Sequence, residues 1–159
     1  MTWDLDAFEN LSLAKLYAIM RLRQEVFVVE QDCVYLDADG YDQKAIHLMG
    51  WNKEGQLVAC LRLFAPGIKY IDFPSDACIG RVCTAVSVRG RGLGRELMRR
   101  GIAGAERLWP GCGIRLSAQL YLLHFYEGLG FTLTSEPYDE DGIPHVEMVR
   151  PAQTSDTVQ

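Results

Sequence analysis

The segment 78–119 constrains the fold more than any other part of the chain. Residues 78–84, CIGRVCT, read as a strand. Arg89-Gly90-Arg91-Gly92-Leu93-Gly94 follows and opens a helix expected over roughly 92–108. Leu93, Leu97, Met98, Ile102, Ala105, Leu108 and Trp109 lie along one stripe of that helix, and Pro110-Gly111 ends it. Residues 113–119, GIRLSAQ, then alternate, with Ile114, Leu116 and Ala118 on one face and Arg115, Ser117 and Gln119 on the other. A strand–helix–strand unit of this kind implies a parallel, right-handed crossover. An amphipathic helix needs a sheet to pack on, so the class is α/β, a mixed sheet with helices on both faces.

The rest of the chain fits around that unit. Leu13, Leu16, Tyr17 and Met20 recur near the helical period, giving a helix over 11–25. Residues 26–42 start apolar and end as an acidic loop. KAIHLMGW (44–51) and QLVACLRLF (56–64) flank a turn and form a hairpin. The stretch 65–77, with two prolines, is expected to be irregular, and 120–128 a short helix ending at Gly128 or Gly130. Residues 131–135 and 145–150 are candidate last strands around an acidic loop, PYDEDGIP. With 159 residues, no repeat and no linker, the expectation is one domain, 1–150, and a disordered polar tail, 151–159.

The glycine loop is the sharpest chemical signal. Its glycines let the backbone approach a ligand closely and adopt positive φ. The first amides of the following helix lack internal partners and, with the helix dipole, form an anion site. The loop is neither a P-loop, since GKS/T is missing, nor a good dinucleotide fingerprint. A plain turn with solvated arginines is the structural alternative.

Charge and cysteine content narrow the possible partners. The net charge of −5 argues against nucleic acid, but 89–107 holds six arginines against two glutamates, which suits a small anion. The five cysteines are odd in number and contain no CxxC, so neither a disulfide framework nor a metal site is expected. Cys60 and Cys78 read as small core residues, and Cys33, in a loop, is the candidate if any thiol is reactive. No apolar run approaches a membrane span, and the acidic start lacks the features of a secretory signal, so the expected setting is the cytoplasm.

Two ordered motifs carry a family resemblance. Arg89-x-x-Gly92-x-Gly94 after a strand resembles the Q/R-x-x-G-x-G/A motif of the GNAT acyltransferase superfamily, and Leu123-His-Phe-Tyr-Glu-Gly-Leu-Gly-Phe131 looks like its late FYxxxGF segment. Arg23 to Gln31, Tyr35, Asp39-Gly40-x-Asp42, His47 and Asp139 to His145 together resemble the ElaA-like branch. The resemblance covers about residues 3–150.

The resemblance implies a mixed twisted sheet splayed between two central parallel strands, with an acyl-coenzyme A, in the first place acetyl-CoA, in the splay and no metal. Val82, Cys83 and Thr84 would pair with the pantetheine arm, and Gln119 would hold it from the other strand. Arg89, Gly90, Arg91, Gly92, Leu93, Gly94 and Arg95 would hold the pyrophosphate. Tyr126 matches the family's general-acid tyrosine. A backbone N–H near Cys83 or Thr84 would stabilise the oxyanion. The general base stays open among Glu25, Glu30, His47 and His145, with Glu25 and His47 placed in the catalytic set. Phe27, Gln31, Arg62 and His145 are placed on the acceptor side, and Arg62, if buried, needs an acidic partner.

The expected activity is transfer of the acyl group directly to a primary amine. Residues 30–42 and 136–147 carry five carboxylates each and no lysine or arginine, which would favour a cationic metabolite or a basic peptide. Two alternatives are an acyl-homoserine-lactone-synthase-like enzyme, suggested by 23–42, and a non-catalytic acyl-CoA-binding module. Exposed strand edges would allow a homodimer.

Overall fold

Alternating side chains build apolar cores on both faces of a single sheet. The computed structural model describes residues 1–153. Most of the tail expected to be disordered lies outside the described residues. β2 (Ile46–Trp51) and β3 (Leu57–Phe64) form the expected antiparallel hairpin, with β4 (Asp76–Thr84) antiparallel to β3. Leu48, Ala59, Leu61, Leu63 and Ile79 point to one face, and Met49, Cys60 and Cys83 to the other. That is the period-two pattern of strands covered on both sides.

The first core is capped by α2 (Leu93–Leu108), through Leu97, Met98, Ile102 and Ala105, and by α3 (Leu123–Glu127), through Tyr126. Gly101 permits the close seating of α2, since a Cβ there would stand 2.8 Å from a Leu61 methyl. The second core is covered by α1 (Leu13–Arg23), which places Ile19 and Leu22 against it. Ser12 caps α1 by accepting the Lys15 N–H at 3.1 Å. The helix then continues as a π-helical segment, Gln24–Glu30, beyond the end expected at residue 25. Long π segments are rare and often mark functional sites.

β5 (Gly113–Gln119) joins the sheet parallel to β4, closing the predicted crossover. β8 (Ile143–Arg150) pairs antiparallel with β5 and carries β6 (Thr132–Leu133) and β7 (Tyr138–Glu140). β1 (Thr2–Ala7) pairs with β2 at the opposite edge. The order is β1-β2-β3-β4-β5-β8-β6, with β7 on β8.

Two strands depart from the sequence expectation. β1 was not anticipated, although Trp3 and Leu5 alternate with polar residues and pack against the first core. The acidic segment expected to be a loop instead folds back as β7–β8. Asp141 at φ +52° and Gly142 at φ +83° make its turn, as two-residue hairpins require. β4 ends at Thr84, and the turn after it is a single 3-10 turn, Val86–Val88.

Candidate active site

β4 and β5 are paired only at Asp76–Cys78 against Gly113–Arg115 and then diverge. This is the splay the resemblance implied. Beyond Cys78, the β4 backbone facing β5 has no ladder partner. The opening is a cleft of about 960 Å³, lined on one wall by Ile79 to Thr84 and on the other by Leu116 to Gln119. An extended arm bearing amides could pair with the free β4 edge as a strand would.

β4 is bent where it meets the cleft. Arg62 pairs with Gly80 and Cys60 with Cys83, so Arg81 and Val82 together stand opposite the single Leu61. Arg81 sits at φ +50°, a left-handed conformation that costs a non-glycine residue about 1 kcal/mol. Bulges of this kind re-aim side chains next to active sites. Arg81 was not singled out from the sequence, although the Gly80-Arg81 interruption of an apolar strand carried the signal.

The glycine loop closes one end of the cleft. Gly90 and Gly92 adopt φ +81° and +78°, and Gly92 is the N-cap of α2. The Glu96 N–H is the first to bond back, to Gly92 O, leaving the earlier amides of the turn free for an anion. Arg89, Gly90, Gly92, Leu93 and Gly94 line the cleft. Arg91 and Arg95 are exposed and stand beside that lining. The Arg89 guanidinium donates to Thr84 O at 2.9 Å and to both carboxylate oxygens of Glu30. This pairing lowers the Glu30 pKa and raises that of Arg89.

Tyr126 projects from α3 into the cleft and is 6 % exposed. Phe125 and Phe131 hold its ring edge-on at 5.1 and 5.9 Å. Burial, with a smaller push from Tyr121, raises its pKa, so the phenol keeps its proton. Gln119, at the end of β5, exchanges two amide hydrogen bonds with Gln31, at 3.2 and 3.4 Å. The two glutamines bridge the cleft. Phe27, beside them, lines it from the π segment.

Glu25 and His47 do not reach the cleft, which corrects their placement in the catalytic set. Glu25 is on the outer surface, paired with Arg21 at 3.0 Å. His47 is 1 % exposed inside β2, with Nε2 2.9 Å from Asp42 O. Burial lowers its pKa despite that bond, keeping the ring neutral and structural. His145 does line the cleft, opposite Gln119 in the β5–β8 register. Its Nδ1 donates to Ile143 O at 2.7 Å and its Nε2 lies 3.1 Å from Glu140.

Most carboxylates of the acidic segment 30–42 are taken up by arginines. Asp37 and Asp42 bind the buried Arg23 at 2.9 and 2.6 Å, and Asp39 and Asp42 bind Arg62. Arg81 adds a contact to Asp37 at 2.9 Å. Burial opposes the charges of Asp39, but Arg62, the Tyr41 N–H and Arg81 outweigh it and hold its pKa well below the usual range. Arg62, expected as an acceptor contact, lines the cleft with its terminal nitrogens committed to this network. Its need for an acidic partner is met as anticipated. The carboxylates at this end that no arginine holds belong to the β7–β8 hairpin, where Glu140, against His145, and Asp141 line the cleft. Cys33, in the opposite loop, donates its thiol to Asp141 O at 3.1 Å and ties the two sides together.

A sheet split between two parallel strands, with the unpaired amides of a helix N-terminus at the split and a protonated tyrosine inside it, is the architecture of an acyl-CoA transferase fold. The chain belongs to the GNAT acetyltransferase family, in its ElaA-like branch: the acetyltransferase (GNAT) domain description matches residues 36–151. The Escherichia coli protein ElaA is 41% identical over 150 residues, covering 93% of this chain and 95% of that one. A UPF0039 protein of Synechocystis is 42% identical over 149 residues, covering 94% of each. Among solved structures, an acyl-CoA N-acyltransferase from Pseudomonas aeruginosa superposes with TM-score 0.87 at 44% identity, covering 94% of this chain and 98% of that one. E. coli ElaA superposes at 0.85. The acyl-homoserine lactone synthase LasI shares the fold at 0.72 and 15% identity.

Proposed function

We propose that this protein transfers an acetyl group directly from acetyl-CoA to a primary amine on a small molecule or peptide. The single observation that carries the reading is the divergence of β4 from β5 after Cys78, which opens an unpaired strand edge between the α2 N-terminus and Tyr126. The free amides at the start of α2 and Arg89 would take the pyrophosphate. The edge over Val82, Cys83 and Thr84 would pair with the pantetheine arm, and its free N–H groups would face the thioester oxygen.

The amine nitrogen attacks the thioester carbonyl carbon, the C–N bond forms and the C–S bond breaks. Tyr126 donates its proton to the departing sulfur. Burial keeps the phenol protonated, so the proton is in place as charge develops on the sulfur. A thiolate is the weaker base, so this step is uphill by itself and is drawn forward by the breaking of the C–S bond. The amine must lose a proton first. Glu140, against His145 Nε2, and Asp141 border the cleft at the acceptor end and are the groups in place to receive it, directly or through water.

The free-CoA reading is favoured over a carrier-protein donor by the glycine loop, which builds a phosphate site within the chain itself. Thiol release from acetyl-CoA with a mixed amine pool tests the reaction, and calorimetry with desulfo-CoA tests the binding site. No heat from desulfo-CoA at millimolar concentration sinks the proposal. Binding without thiol release reduces it to an acyl-CoA-binding module.

A further inference from the structure

The acceptor end of the cleft has one wall that amine recognition leaves unused. Arg62, Lys69, Arg81 and Asp39 line it. Arg62 is 2 % exposed, and its Nη atoms bond Asp39 and Asp42. Its Nε–H, also buried, has no acceptor among the described residues. A buried N–H without a partner is costly and calls for a missing acceptor.

The strand opposite places no side chain over that N–H. Gly80 is the register partner of Arg62, and a Cβ built on it would meet only Arg62 Nε, at 3.9 Å. The part of the cleft over Gly80 therefore borders the Arg62 side chain on the side of that donor. Lys69 borders the same space, 3.8 Å from Asp39, with no hydrogen bond of its own among the described residues.

The charge balance indicates what fits. Arg23, Arg62 and Arg81 are answered by Asp37, Asp39 and Asp42, and Lys69 is the cation in excess. One uncompensated positive charge matches a monoanion better than a doubly charged phosphate. Across the cleft, Glu140 and Asp141 supply carboxylates for an ammonium group. A planar carboxylate accepts from a guanidinium edge and a lysine together.

We propose that the amine acceptor is an amino acid, its carboxylate held between Arg62 Nε and Lys69 above Gly80 and its amino group directed toward the β4–β5 split. This rests on the acyltransfer reading and specifies its substrate class. A purely cationic amine would leave the Arg62 donor unsatisfied and meet Lys69 as a like charge.

The test is a panel of free amino acids, each assayed with acetyl-CoA beside its carboxamide and its decarboxylated amine. The free acid is expected to be preferred by roughly tenfold or more in kcat/KM. Equal or better turnover of the carboxamides or amines overturns the proposal, as does failure of every amino acid. A CoA-induced rise in melting temperature, read on the same sample, shows whether the acyl-CoA site survives that failure. Arg62 substitutions could unfold the network, so Gly80→Ala and Lys69→Gln are the working variants. Each should raise KM for the free acid and shrink its advantage over the carboxamide. An unchanged ratio in both variants, with a normal melt, also overturns the assignment.

Discussion

Arg89 and Glu30 form a two-point ion pair across the mouth of the cleft. Arg89 Nη2 lies 2.8 Å from Glu30 Oε2 while Nη1 bonds the other oxygen, and the same guanidinium caps Thr84 O. The residue expected to hold the pyrophosphate is thus occupied by a carboxylate from the π segment. Phosphate must displace Glu30 or share Arg89 with it.

Glu30→Gln should therefore tighten CoA binding, and Arg89→Met should weaken it. Both side chains are more than a third exposed or nearly so, and such pairs are worth up to about 1 kcal/mol. The gain for Glu30→Gln is accordingly up to about fivefold in Kd, with little change in melting temperature. Calorimetric titration with CoA decides it. Weaker binding in Glu30→Gln would mean that Glu30 positions Arg89 for the ligand.

Tyr126→Phe should lower kcat by about a hundredfold or more, the range of a lost general acid, and leave the CoA Kd almost unchanged. Because burial raises the tyrosine pKa above its usual 10, kcat in the native enzyme should show no Tyr126-linked fall below pH ~10. Stopped-flow thiol release across that range checks both statements. A Phe variant of native activity removes Tyr126 from the mechanism.

Arg23→Met should be among the most destabilising single changes outside the apolar core. Arg23 is 1 % exposed and holds Asp37 and Asp42. Burial opposes its charge, yet the two aspartates raise its pKa. Removing one member of a buried pair leaves uncompensated charge and costs about 3–5 kcal/mol. Urea denaturation measures the loss.

His47 should make stability depend on pH. Its folded pKa is lowered from 6.5 by burial, so the unfolded chain takes up the proton first. The stability is fully present above pH ~6.5 and is lost as pH falls through the lowered folded value. His47→Gln should flatten the slope of the urea midpoint between pH 8 and 5. An unaltered slope assigns it to other groups.

The sequence by itself determined the crossover unit and the anion loop, because both are local. The stripe of α2, the alternation of β5 and the glycines at 90 and 92 act within a few residues of one another. Tyr126 was reachable through its motif, and its two flanking phenylalanines lie in the same short segment. β1 was harder to see. A six-residue edge strand gains its stability from Ile46–Trp51, far along the chain.

Only the tertiary structure decided which charges are free. In the sequence, residues 30–42 are a run of carboxylates beside a cleft. In the fold, Arg23 from α1, Arg62 from β3 and Arg81 from the β4 bulge converge on them from three elements. Charge compensation acts through space over a few ångströms and is invisible to spacing along the chain. The same holds for His47, whose apolar neighbours in the strand did not say whether its ring would meet the cleft or the Asp42 carbonyl.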